Sequence, residues 1–263
     1  VTPAQQLNAK LKLERTFLEA LGPYHKDITR EFMREYGTSA VLPDMALRDA
    51  ELEELLITHY RTAADVFVPV VTKAMPADAQ VTQAELDTMA AALAAYFATR
   101  ASEQAQIINS TTAEEMERAA AEATATEATL LEAAAVAGAM LTRNLLGRAP
   151  SIAATETQAA TEASKLTATD VLLGRAPSVT GGQATVAETT KQWWSVGDSD
   201  VREAHLVADG QEVPTSAPFV VGGQQLMFPG DTSLGATIDN VINCRCIAEY
   251  DTAAIAEERR ARL

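Results

Sequence analysis

Leu52, Leu56, Tyr60, Ala63, Phe67 and Val70 recur at spacings of four, four, three, four and three residues. That repeat lines one face of an α-helix. Pro69 is expected to bend or end this helix because proline has no amide hydrogen to donate, and Pro76 to break the chain. Thr82 and Glu85 then read as a Thr-x-x-Glu capping box. Leu86, Met89, Leu93 and Phe97 give the helix behind it an apolar stripe. Thr111 and Thr112, with Glu114 and Glu115 three residues on, read as a further helix start. That helix is expected to run to about Leu146, with Gly138 loosening it partway.

The heptapeptide Leu-Leu-Gly-Arg-Ala-Pro-Ser occurs twice, at Leu145–Ser151 and at Leu172–Ser178. Each copy reads as a helix ending: leucines that pack, a glycine suited to a left-handed cap, and a proline that forbids continuation. Ser151 is expected to cap a helix between them that runs toward Val171. Residues 176–188, rich in glycine and small polar side chains, read as a linker. Past it, Phe219–Val221 and Gln225–Phe228 flank Gly222-Gly223, a hairpin signal, and Cys244–Tyr250 reads as another strand. The expected fold is mainly α with a small α+β C-terminal module. It comprises an elongated, alanine-rich helical body (1–175), the linker, the module (189–252) and a charged tail helix (253–263).

Composition supports the helical reading: hydrophobic residues make up 47% but aromatics only 5%, and alanine, which dominates the rest, loses no side-chain entropy in a helix. The formal net charge of −15 disfavours nonspecific nucleic-acid binding by the surface as a whole. Acidity is concentrated in Thr112–Ala137, where six glutamates accompany one arginine, Arg118. The plain reading is a solvated helix face; the sharper one is a partner-docking face carrying Glu114, Glu115 and Glu122 for a basic ring. No apolar run reaches the roughly 20 residues that span a bilayer. The expectation is therefore a soluble protein with no membrane anchor and no secretion signal. His25 and His59 are expected at the surface or boundary of the helices.

Candidate chemistry lies beyond residue 190. Asp198, Arg202 and His205 are spaced by four and three, as on one side of a helix with Asp198 at its N-cap. Strand periodicity would put the sulfurs of Cys244 and Cys246 on one face. Imidazole and thiolate are zinc ligands, so His205, Cys244 and Cys246 form a candidate structural zinc site, with Asp198 or Asp231 as the fourth donor. The plain reading is a packed cluster of thiols around a hydrogen-bonded histidine. A nucleophile–base–carboxylate arrangement of cysteine, His205 and Asp198 is opposed by an Asp198–Arg202 pair, so no enzyme is expected. Trp194 is expected in the module's core and Trp193 at an interface.

Lys191, Trp194, Asp198, Arg202, His205, Asp209-Gly210, Phe219, Pro229-Gly230-Asp231 and Asn243-Cys244-Arg245-Cys246, in that order, resemble the C-terminal signature of phage head-morphogenesis proteins typified by phage Mu protein F. The similarity covers roughly residues 150 to 250. Upstream it includes Ile152–Thr157, where Ala154 replaces the family's usual arginine and removes that side chain from the implied contacts. The resemblance implies a minor head protein: a virion protein in few copies, in the head interior or at the portal vertex, assembled in the bacterial cytoplasm. It also implies a role in head assembly or DNA ejection, with the portal protein and other head proteins as partners and contact with packaged DNA. Two other readings stay open: a metal-dependent nucleic-acid binding or processing protein centred on His205, Cys244 and Cys246, and a helical scaffold that leaves the particle.

Overall fold

The computed structural model describes residues 1–126, 129–180 and 189–262. It is mainly α-helical with a small C-terminal α+β region. Four long helices come first: α1 (Pro3–Ser39), α2 (Asp49–Thr72), α3 (Gln83–Thr126) and α4 (Leu130–Leu172). There follow β1 (Thr190–Trp194), α5 (Glu203–Val207), β2 (Glu212–Pro214), β3 (Phe219–Val221), β4 (Gln224–Leu226), α6 (Ile238–Val241), β5 (Ile247–Tyr250) and α7 (Thr252–Arg262). No helix among the described residues is long and apolar enough to cross a membrane.

The helix boundaries follow local chemistry except where burial overrides it. Pro69 falls in the last turn of α2 and does not end it. The box at the start of α3 forms reciprocally: Glu85 N donates to Thr82 Oγ1 (3.3 Å) and Thr82 N to Glu85 Oε2 (2.8 Å). Thr111 and Thr112 start no helix. Their hydroxyls donate back to the carbonyls of Ile107 and Ile108 (2.9 and 2.8 Å), so α3 runs through them. The start lies instead at Thr129, boxed with Glu132 (Glu132 N to Thr129 Oγ1, 3.2 Å; Thr129 N to Glu132 Oε2, 3.1 Å).

The two heptapeptides have different fates. Pro150 of the first copy lies inside α4. The second copy ends it: Gly174 takes φ +69°, Gly174 N donates to Val171 O (2.9 Å) and Arg175 N to Asp170 O (2.8 Å). Those are both bonds of a Schellman cap. Downstream of Pro150, α4 is buried continuously from Thr155 to Leu172, and that burial offsets the roughly 3 kcal/mol a mid-helix proline costs.

The residues group into two compact units that interleave along the chain. One comprises Glu14–Thr58 and Ala98–Ala153. Its α1 segment buries Phe17, Leu21, Tyr24, Ile28, Phe32 and Tyr36 at helical spacing. Gly138 does not loosen α4. A Cβ there would lie 2.5 Å from Met33 Cγ, so the glycine admits the methionine.

The other unit comprises Val1–Leu13, His59–Phe97 and Ala154–Leu263. The division therefore runs through the long helices; of the 176–188 segment, 181–188 lie outside the described residues. Its three-stranded antiparallel sheet has the order β2-β1-β5, and β3-β4 is the expected hairpin, with Gly222 and Gly223 both at positive φ (+57° and +76°). β5 is an edge strand, and side chains from one face of α4 satisfy its free backbone. Ala248 N donates to Glu162 Oε2 (3.1 Å), while Lys165 Nζ donates to Ala248 O (2.9 Å) and Gln158 Nε2 to Cys246 O (2.8 Å). An unpaired edge inside a protein would leave polar groups without partners. Lys10 completes the arrangement, donating to Gln158 Oε1 (2.9 Å) and Cys246 O (3.1 Å) and pairing with Glu162 (2.5 Å).

Candidate functional site

Burial alternates along β1, so Lys191 and Trp193 point inward and Trp194 is only half-buried. This reverses the expected roles of the two tryptophans. Trp193 is 0% exposed and cannot serve as an interface side chain. Its ring meets His205 edge-on (centroids 5.5 Å apart) and Phe219 in the same way (5.3 Å). Lys191 holds its ammonium over the Phe219 ring (Nζ 5.1 Å from the centroid) and donates to Met227 O at 2.6 Å. Burial pushes its ammonium down to about 7, against the opposing pull of the Asp170 and Asp231 carboxylates.

Asp198, Arg202 and His205 do not share a helix face. α5 begins only at Glu203, and Arg202 holds the extended N-cap conformation before it. Asp198 sits in the preceding turn, where it accepts from Arg245 Nη2 (2.8 Å) and Asp200 N (3.1 Å). The Arg202 guanidinium donates to Ile242 O. The expected Asp198–Arg202 pair is replaced by Asp198–Arg245.

His205 points inward from α5, 1% exposed. Cys244 and Cys246 follow α6 and precede β5, in an irregular segment rather than in a strand. Asn243 takes φ +53° there, and its N–H donates to Thr155 Oγ1 (3.1 Å). Cys246 O is fixed by Gln158 and Lys10 as above. The result converges: His205 Nδ1 lies 3.6 Å from Cys244 Sγ and 3.4 Å from Cys246 Sγ. All three donor atoms lie within 4.8 Å of one another, a spacing at which one metal ion can touch each. Both cysteines are free and buried.

The opposite ring nitrogen is fixed by Asn240, whose carbonyl O and side-chain Oδ1 each lie 3.0 Å from His205 Nε2. Asn240 Nδ2 donates to Val221 O (3.0 Å), so its amide orientation is set. Nε2 therefore carries the hydrogen, and in the neutral ring Nδ1 presents a lone pair to the sulfurs. The thiols titrate as a pair. A hydrogen bond from Cys246 favours the Cys244 thiolate, with His205 adding to it against burial, while Cys244 and burial push Cys246 up. Burial opposes protonation of His205, but Cys244 and Asn240 outweigh it.

The other signature residues hold backbone. Asp209 Oδ1 accepts from Ser195 N (2.7 Å). Buried Asp231 accepts from Met227 N and Ser233 N (both 2.8 Å). Pro229 O accepts from Gln158 Nε2 (2.9 Å), and a Cβ on Gly230 would lie 2.8 Å from Gln158 Cγ. Neither Asp198 nor Asp231 belongs to the His205–Cys244–Cys246 group.

Elsewhere, Glu114 and Glu122 are exposed, but Glu115 is buried beside Arg148 (3.6 Å) and leaves the candidate partner face. Glu127 lies outside the described residues. His25 and His59 are buried rather than at the surface, and burial pushes each down to about 4. Sequence reasoning missed Lys10, Gln158, Glu162, Lys165 and Asn240. Their polar character reads as solvated surface, and nothing local marks them as interior. No protein-family model, curated protein or solved structure matches the chain.

Proposed function

We propose that this chain is a structural minor head protein of a tailed phage, placed at the portal vertex or in the head interior and acting in head assembly or DNA delivery. The portal protein and other head proteins are its proposed partners, with contact to packaged DNA, and the role involves no catalysis. The observation that carries the reading is how the signature residues are used. Lys191, Arg202, Asp209, Pro229 and Asp231 are each spent on a backbone hydrogen bond. Polar groups consumed in holding loops serve the fold and support a structural role.

Quantitative mass spectrometry of purified DNA-filled heads tests this directly. The chain is expected there at far fewer copies than the major capsid protein; its absence from heads overturns the placement. Exposed Glu114 and Glu122 remain the proposed portal-facing side chains. Reversing both to lysine is expected to weaken co-purification with the portal protein, and undiminished association removes that face.

Within this proposal His205, Cys244 and Cys246 hold a zinc ion. Zinc bonds of about 2.3 Å to sulfur and about 2.0 Å to nitrogen put tetrahedral sulfur and nitrogen ligands roughly 3.5 Å apart. The 3.4 and 3.6 Å separations match that spacing. A simple S–H···N bond suits similar distances, so a metal titration is what separates the two.

A further inference from the structure

Zinc in proteins is almost always four-coordinate, and the chain holds only two cysteines and three histidines. Both cysteines and His205 are in the group already. His59 bonds Thr157 Oγ1 (2.8 Å) through Nε2, and among the described residues no further histidine, cysteine, aspartate or glutamate joins the group. Asp198 is engaged by Arg245, and both oxygens of Asp231 accept backbone N–H bonds.

We infer that the centre binds one zinc-like ion through three donors of this chain, with a small exchangeable donor, water, hydroxide or a small anion, in the fourth place. The inference rests on the zinc reading above and makes the site open in coordination, though deeply buried. Burial decides the size of the fourth donor. His205, Cys244 and Cys246 are 1%, 3% and 2% exposed, so a side chain from another molecule would have to displace α5 or the cysteine segment to arrive.

A second observation supports occupancy by an ion rather than packed thiols alone. The Trp193 indole N–H is buried without a hydrogen-bond partner among the described residues, and its ring packs in the same cluster as Cys244 and Cys246. A buried donor without a partner costs roughly 1–3 kcal/mol. A metal-bound thiolate gives it a charged sulfur to face, and the second thiol is then deprotonated as well. Asn240 supplies the carbonyl that metal-ligating histidines ordinarily require on the opposite nitrogen.

The test uses the full chain, stripped with a chelator under reducing conditions and titrated with Co(II). A one-to-one end point is expected, with intense tetrahedral d–d bands and sulfur-to-cobalt charge transfer that Cys244→Ser reduces while circular dichroism stays unchanged. Azide is then expected to shift the d–d bands without releasing the metal. Failure to develop the cobalt bands overturns this inference and the zinc reading together. Bands that azide leaves unmoved overturn the open position alone. Metal-dependent dimerisation in sedimentation also overturns it, because a second copy would then supply the donor. None of these outcomes depends on whether the chain is found in phage heads.

Discussion

Asn240 holds His205 Nε2 from two oxygens, each 3.0 Å away, and so aims Nδ1 at Cys244 and Cys246. Asn240 touches neither sulfur, so its contribution to metal affinity is separable from that of the donors. Loss of such an outer partner typically weakens metal binding by about 10–100-fold. Asn240→Ala is expected to lower zinc affinity by that factor in competition with a chromophoric chelator. Unchanged affinity would show that the main-chain carbonyl at position 240, which alanine keeps, sets the tautomer without the Oδ1.

The twin heptapeptides give a paired experiment. Gly174 sits at φ +69° and Gly147 inside α4, where a Cβ meets nothing within 4 Å. Gly174→Ala is expected to lower stability by about 1 kcal/mol or more, because an L side chain resists that backbone region. Gly147→Ala is expected to raise it by about 0.5–1 kcal/mol. Urea midpoints at constant m-value read both; equal effects would mean the two copies end helices alike.

Arg259 of α7 is buried, pairs with Glu85 and donates to Ala79 O (3.0 Å) and Gln80 O (2.7 Å). Removing it leaves those acceptors without a donor, so Arg259→Ala is expected to cost roughly 3 kcal/mol, read as a lowered thermal midpoint. Arg259, with Thr82, holds the Glu85 carboxyl down to about 2 from an ordinary 4.5. A depressed carboxyl stabilises the fold fully above the unfolded value and progressively less as pH falls through the folded one. Stability is therefore expected to drop between pH 4.5 and 2, and Arg259→Ala should flatten that drop.

Two buried histidines act in a higher window. His25 and His59 are pushed down to about 4 by burial, from 6.5. The unfolded chain takes up protons below 6.5 that the folded chain refuses until about 4, so stability should fall as pH is lowered across that interval. His59→Gln, which keeps an amide for Thr157, is expected to reduce the slope of the urea midpoint against pH. A slope identical to that of the parent chain would show that His59 ionises freely when folded.

The apolar faces of the long helices could be read directly from spacing. Leu52, Leu56, Tyr60, Ala63 and Phe67 are all buried, as are Met89, Leu93 and Phe97, whereas Val70 is half-buried and Leu86 exposed. So could the Thr82–Glu85 box, the Gly222-Gly223 hairpin and the tail helix, because each depends on residues within a few positions of one another. The triad of donor types was legible too, since histidine and cysteine are scarce and their chemistry is narrow.

Local sequence determined the helical class, the caps, the hairpin and the donor inventory, because those are properties of short-range geometry and residue type. Tertiary structure alone decided which tryptophan is buried, and that Asp198 pairs with Arg245 instead of Arg202. It also decided which copy of one heptapeptide ends a helix, and that Gln158, Glu162 and Lys165 face a strand edge instead of water. The physical reason is the same in each case. A polar or helix-breaking residue takes its free energy from whatever surrounds it, and for these positions the surroundings come from segments distant in the chain. The three donors could be named from sequence; their convergence on one lone pair required the fold.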